Sequence, residues 1–462
     1  MFSRLLLGGV SLSVGLMLSL LVALPAAAAT VAETPTAFGI PIDFILFALT
    51  LLGVALFHNH TLAVGLTGLS VIVLYKLGFT GFHGIDGLQG LLTHAGHEWV
   101  TLANLLGLLL GFALLARHFE DSGVPHVLPR WLPEDWKGGF ILLIMVFIMS
   151  AFLDNIAAAL IGGTIAAGVY QRRVHIGYLA AIVAASNAGG SGSVVGDTTT
   201  TMMWINGIAP QDVLHAYVAA VPALLIFGVI AARQQHAFHP IQKNNSIHAQ
   251  IDWARLGIVI WILLAAMGTN IFINTQMPEN SNSFPFIGVA VLLAILLATP
   301  LRKPEWSLLP DALKGSFFLL SLVMCASMMP VEKLPTASWE TAFGLGFVSA
   351  VFDNIPLTAL ALTQGGYDWG ILAYAVGFGG SMIWFGSSAG VALSNLFPEA
   401  KSVGAWLKNG WHIPLGYIIG FFIMLATVGW HPQTQHKADV RHTTPATAPA
   451  TASTTLPAHS GH

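Results

Sequence analysis

The stretch Ser186-Asn187-Ala188-Gly189-Gly190-Ser191-Gly192-Ser193-Val194-Val195-Gly196-Asp197-Thr198-Thr199-Thr200-Thr201 decides how the whole chain is read. It lies inside an apolar window running from residue 175 to 205. That window exceeds the ~20 helical residues needed to cross a bilayer and carries glycines, hydroxyls and an acid in its middle. It predicts a membrane helix broken at mid-depth. A second long window, 369–395, is interrupted in the same way. Gly379-Gly380-Ser381 is followed five residues after the serine by Gly386, as Gly189-Gly190-Ser191 is by Gly196. Each broken window follows two apolar arms too short to span. The arms 138–152 and 156–170 meet at Asp154-Asn155, and 341–352 and 355–363 meet at Asp353-Asn354. These predict two re-entrant hairpins.

Composition supports this reading. Of 462 residues, 55% are apolar and 8% charged, against about 25% charged in soluble domains, and the mean hydropathy is +0.74. So few charges cannot cover a water-exposed surface of this size, whereas lipid can solvate apolar spans. A soluble enzyme is excluded. The net charge of −3 without a basic cluster excludes a nucleic-acid partner, and a single cysteine, Cys325, excludes a disulfide scaffold. Further apolar windows at 40–57, 60–79, 100–116, 212–232, 256–275, 284–300, 312–330 and 411–430 complete an all-α polytopic membrane protein.

Residues 1–29, with Arg4, an apolar run and Ala26-Ala27-Ala28-Ala29, read as a signal peptide or an uncleaved signal anchor. A first repeat covers 40–232, a cytoplasmic linker 233–255, a second repeat 256–430 and a disordered His/Thr/Pro/Ala tail 431–462. If residues 30–39 lie outside and hairpins return to their own side, 13 cations fall in inside loops, from Arg117, Arg130 and Lys137 to Lys401 and Lys408. Four fall outside: Lys76, Lys333, Lys437 and Arg441. This is the bias of the positive-inside rule, and it sets the tail outside. The two repeats then run in opposite directions.

Inverted units with discontinuous helices are a transporter signature, because unwound backbone persists at membrane depth only where it lines a buried or wet cavity. Asp154, Asp197 and Asp353 are the acids placed deep in the apolar segments, and no Lys or Arg is expected at that depth. A carboxylate there costs at least ~2.5–3.5 kcal/mol, so a proton or a travelling cation must relieve it. Close acids would titrate jointly. Oxygen ligands suited to a hard cation surround them: Asn155, Asn354, Ser186, Asn187, Ser191, Thr198, Thr199, Thr200, Thr201, Ser387 and Ser388. Gly189, Gly190, Gly379, Gly380 and Ser381 would turn backbone groups toward the ion. The alternatives are close helix packing for the glycines and helix capping for the Asp-Asn pairs. Asp43 reads as an interfacial acid. All histidines, His58, His60, His94 and His97 among them, read as solvated groups of loops, tails and span ends. No resident cofactor or catalytic motif is implied; a haem or metal redox subunit is the reading from another class.

With Gly196-Asp197-Thr198-Thr199-Thr200-Thr201-Met202-Met203-Trp204 and Phe352-Asp353-Asn354-Ile355-Pro356-Leu357, most of residues 40–430 resembles the NhaD-type sodium/proton antiporters of the ion transporter superfamily. The resemblance implies a multi-pass protein of the bacterial inner membrane with scaffold and transport parts, often a homodimer. Both tips and both broken helices would form the substrate site. It implies exchange of Na⁺ or Li⁺ for H⁺, with Asp154, Asp197 and Asp353 as sodium ligands. The superfamily's citrate, dicarboxylate and arsenite carriers supply the alternative substrates. The antiporters usually carry hydroxyl residues after the first Asp-Asn, where this chain has Ile156-Ala157-Ala158-Ala159.

Overall fold

A computed structural model describes residues 35–433, apart from 58–59, 83 and 243–249. The signal segment 1–29, His58, Lys243, and Lys437 and Arg441 of the tail lie outside the described residues. A two-residue ribbon opens the described chain, with β1 (Thr36–Ala37) antiparallel to β2 (Ile40–Pro41). The rest is helical.

Leaving aside the short helices Val124–Val127, Pro210–Leu214 and Val403–Asn409, the series opens with α1 (Ile42–Leu56), α2 (Thr61–Tyr75), α3 (Gly87–Glu120), α4 (Trp136–Ser150), α5 (Asn155–Val169) and α6 (Ile176–Ser191). Then come α7 (Thr198–Ile205), α8 (Tyr217–Phe238), α9 (Trp253–Gln276), α10 (Phe286–Ala298) and α11 (Leu309–Ser327). The last five are α12 (Trp339–Ser349), α13 (Asn354–Gln364), α14 (Trp369–Gly379), α15 (Ser388–Leu396) and α16 (His412–Thr427). Among the described residues, five helical segments are long and apolar enough to cross a membrane, or six if Val403–Asn409 and α16, bent by 59°, make one span. Large apolar side chains such as Leu225, Leu264, Leu297 and Phe317 stay exposed on these helices, as lipid allows and water does not. The chain is an all-α polytopic membrane protein.

The helices pack in two groups. In one, α2 packs on α1 and α11, while α3 contacts α9, α10 and α11. In the other, α6 and α14 sit at the centre, covered by α4, α8, α12 and α16. Every side chain of α14, and all of α6 after its first residue, is buried. Their near-uniform apolar sequence reflects contact with protein on all sides rather than a lipid-facing stripe.

Two expectations need correction. The 100–116 window underestimates α3, which begins at Gly87 and takes in His94, His97 and Glu98. Hydropathy misses this half because it carries polar groups: His94 and Glu98 are buried, with His94 Nε2 3.0 Å from Ser327 Oγ, while His97 is exposed. Both histidines lie within the helix, and His94 is not solvated. Asp43 and Lys76 are likewise not solvated. Both are buried and form an ion pair of 3.1 Å between α1 and the π-helical extension of α2, Lys76–Thr80. Each charge relieves the other's desolvation, so a basic residue does occur inside a candidate span.

At the far end of α3 a half-exposed ion-pair cluster joins Arg117 to Glu120 and Glu305, Arg255 to Asp121, and Arg302 to Asp252. The Arg302 guanidinium holds the Asp252 carboxyl below its usual range. Such pairs are worth about 0–1 kcal/mol each in water; their placement marks one wet end of the molecule.

Candidate functional site

Four short helices begin at the centre of the second group, and each has a predicted site residue at its N-cap. Asp154 precedes α5, Asp197 precedes α7, Asp353 precedes α13 and Ser387 precedes α15. Asp, Asn and Ser are favoured there because the side chain accepts from backbone N–H groups that the helix cannot satisfy. Asp197 accepts from Thr199 N at 3.1 Å, Asp353 from Ile355 N at 3.1 Å and Ser387 from Gly390 N at 3.3 Å. The four positive helix ends, each equivalent to about half a unit charge, thus supply part of the counter-charge to the acids. At Asp197 and Asp353 capping and charge placement are not alternatives, since each carboxylate does both; Asp154 makes no side-chain cap hydrogen bond.

A network of neutral side chains ties the caps together. Asn354 Nδ2 donates to Asp197 Oδ2 at 3.2 Å, and Ser388 Oγ donates to Asp353 Oδ2 at 3.1 Å. Asn155 Nδ2 donates to Asn187 Oδ1 at 3.1 Å, while Asn187 Nδ2 donates to Ser381 Oγ and Ser387 Oγ at 2.9 and 3.1 Å. Both tip asparagines therefore reach the broken helices. Asp154 and Asp353 lie within electrostatic reach of buried Asp197, and the partners of the three carboxylates are backbone amides, hydroxyls and an asparagine, with no Lys or Arg. The acids stand apart as three caps: among the described residues, no group of three His, Cys, Asp or Glu side chains closes into a metal cage.

The hydroxyls divide. Ser387 and Ser388 face the network, but Ser186 and Ser191 donate to Val183 O and Ala188 O of their own helix. Thr200 and Thr201 donate to Ser193 O and Val194 O, carbonyls freed where α6 unwinds. Buried Thr199 Oγ1 lies beside the Asp197 carboxylate. Other freed carbonyls are held by residues that sequence reading passed over: Tyr217 Oη donates to Gly189 O at 2.9 Å and Trp406 Nε1 to Ser381 O at 3.2 Å. An isolated Tyr or Trp in an apolar span carries no local sign of such a role.

Glycines fix how close the parts come. A Cβ on Gly189 would stand 2.1 Å from Phe147 O of α4, and one on Gly379 would stand 2.1 Å from Gly346 O of α12. Only glycine lets each broken helix lie against its neighbouring arm.

A cavity of about 280 Å³ reaches this centre from one face. Leu51, Val54 and Ala55 of α1 and Phe318 and Leu322 of α11 form one wall; Asp353, Ser387, Ser388 and Asn395 belong to the opposite side. It runs between the two helix groups.

Polytopic helices, interrupted at a buried polar centre and reached by a cleft, define the class to which this chain is compared. No protein-family model matches it. It is 26% identical over 384 residues to the Na(+)/H(+) antiporter NhaD of Vibrio parahaemolyticus, covering 70% of this chain and 89% of that protein. It is 24% identical over 393 residues to the NhaD of Vibrio cholerae, covering 71% and 79%. Against Sodium/proton antiporter 1 of Arabidopsis thaliana it is 26% identical over 313 residues, 56% of this chain, and spans half of that protein's length. These relatives support the NhaD-like ion transporter family that the motifs resemble, and their names are those of transporters, not enzymes.

Proposed function

We propose that this chain is a secondary active transporter of the bacterial cytoplasmic membrane that exchanges Na⁺, or Li⁺, for H⁺. The observation that carries this is a buried carboxylate, Asp197, partnered by Asn354 and by helix N–H groups, with Asp154 and Asp353 nearby and, among the described residues, no basic residue paired with them. The sum of half-charges at helix ends falls short of three carboxylates. A proton or a small cation supplies the difference, and competition for the same oxygens couples the two fluxes. The repeated cap geometry and the paired glycine contacts support an inverted repeat with hairpins 136–169 and 339–364. The NhaD relatives support the choice of ions.

One observation favours a second reading. The 280 Å³ cavity is larger than a dehydrated cation needs, and Ser387 and Ser388 at the start of α15 suit a small carboxylate at a helix N-terminus. Everted vesicles with a pH-sensitive dye distinguish the two on addition of Na⁺, Li⁺, K⁺ and then citrate. Na⁺ and Li⁺ are expected to collapse an acid interior and citrate to do nothing. Because protons and sodium compete, the apparent KM for Na⁺ should rise as pH falls, approaching about tenfold per unit for a one-for-one competition. A KM independent of pH, or exchange retained in full by both Asp197→Asn and Asp353→Asn, rejects the assignment.

A further inference from the structure

The two broken helices match closely, apart from a pair of linked exchanges. The caps Asp154 and Asp353 have φ/ψ of −52/142° and −53/140°. The contacts of Gly189 with Phe147 O and of Gly379 with Gly346 O repeat at the same distance, seven residues before each tip aspartate. A Cβ on Gly190 or Gly380 would meet Gly196 O or Gly386 O at 2.7 Å in both cases. In this register Ser191 corresponds to Ser381, Asn187 to Gly377, and Asp197 to Ser387.

The last two exchanges compensate each other. Around Ser381 and Ser387 the oxygens are neutral, and buried Asn187 sends its Nδ2 to both of them. Around Ser191 and Asp197 one oxygen group is a carboxylate, and Gly377 contributes no donor. A Cβ on Gly377 would point at Ser191 Cβ, 3.2 Å away, and Asp197 Oδ2, 3.5 Å away. Where the charge is missing, the facing broken helix supplies an amide donor; where the charge is present, the facing helix supplies none at Gly377, and the carboxylate meets the tip amide of Asn354 instead. Buried Thr199 Oγ1, two residues beyond Asp197, is a further oxygen on the charged side, beside the carboxylate.

We propose that the chain has a single exchangeable-cation pocket, formed at Asp197, Asn354, Ser191 and Gly377, and that Asn187 permanently fills its counterpart as an internal substitute for a cation. This rests on the cation-exchange reading above and adds to it a site and a number of ions. The sodium dependence of antiport in vesicles tests it. The wild-type Hill coefficient is expected to be about 1, and the mirror-image double variant Asn187→Gly/Ser387→Asp is expected to raise it towards 2, the ceiling for two sites. Gly377→Asn should insert normally and lose sodium-dependent exchange, since its amide would take the cation's place. It is also the deciding variant should the double variant fail to fold. A wild-type coefficient of about 2, or unaltered sodium dependence in inserted Gly377→Asn, overturns the single pocket while leaving antiport standing. Absence of exchange with Na⁺, Li⁺ and K⁺ in the wild type removes the cation-exchange reading and the pocket with it.

Discussion

Asp197 uses its two carboxylate oxygens differently: Oδ1 caps α7 and Oδ2 meets Asn354. Asparagine is as good an N-cap as aspartate, so Asp197→Asn should change stability by less than about 1 kcal/mol. Exchange, which needs the charge, should disappear. Thermal unfolding in detergent beside the vesicle assay separates the two effects; equal losses in both would make Asp197 a structural cap alone. Lys76 makes the opposite case. Its partner Asp43 is fully buried, so Lys76→Met should destabilise by about 3–5 kcal/mol by leaving an uncompensated charge. Adding Asp43→Leu should restore most of that loss. A double variant no better than the single one would show that the pair is not what holds α1 to the end of α2.

Among the elements, the broken helices depend on close approach to α4 and α12. Gly189→Ala and Gly379→Ala each push a methyl against backbone, which no rotamer relieves. A loss of about 1–3 kcal/mol is expected from such overpacking, together with loss of exchange. Gly168→Ala in α5 meets nothing within 4 Å and should be neutral or stabilise by up to about 1 kcal/mol. Melting temperatures of the three variants check the contrast. If Gly168→Ala is as harmful as the others, interhelical contact is not what sets Gly189 and Gly379 apart, since helix propensity alone favours alanine at all three positions.

In the whole molecule, the cavity between the two helix groups gives one face access to Asp353, while buried Asp197 lies off its lining. Ala392, on the cavity wall, is a suitable reporter once buried Cys325 has been removed. In a Cys325→Ala background, Ala392→Cys should react with a membrane-impermeant thiol reagent from the face that carries Arg172 and Lys401. Sodium should slow the reaction by shifting the population of open states, since a ligand moves such an equilibrium only by binding its states unequally. Reaction from the opposite face alone would reverse the orientation read from the loop charges.

The sequence by itself determined the membrane class, the two interruptions near Gly190 and Gly380, and the Asp-Asn tips. These are local properties: lipid tests each segment for apolar length, and glycine, serine and aspartate end helices wherever they occur. Tertiary structure alone decided that Asn354 meets Asp197, 157 residues away in the chain, and that Asn187 binds the serines of the other broken helix. It alone decided that Tyr217 and Trp406 satisfy the loosened carbonyls and that Asp43 finds Lys76. Hydropathy scores each residue against an average solvent, whereas a buried polar group is stabilised by one particular partner, and only packing brings that partner within hydrogen-bond distance.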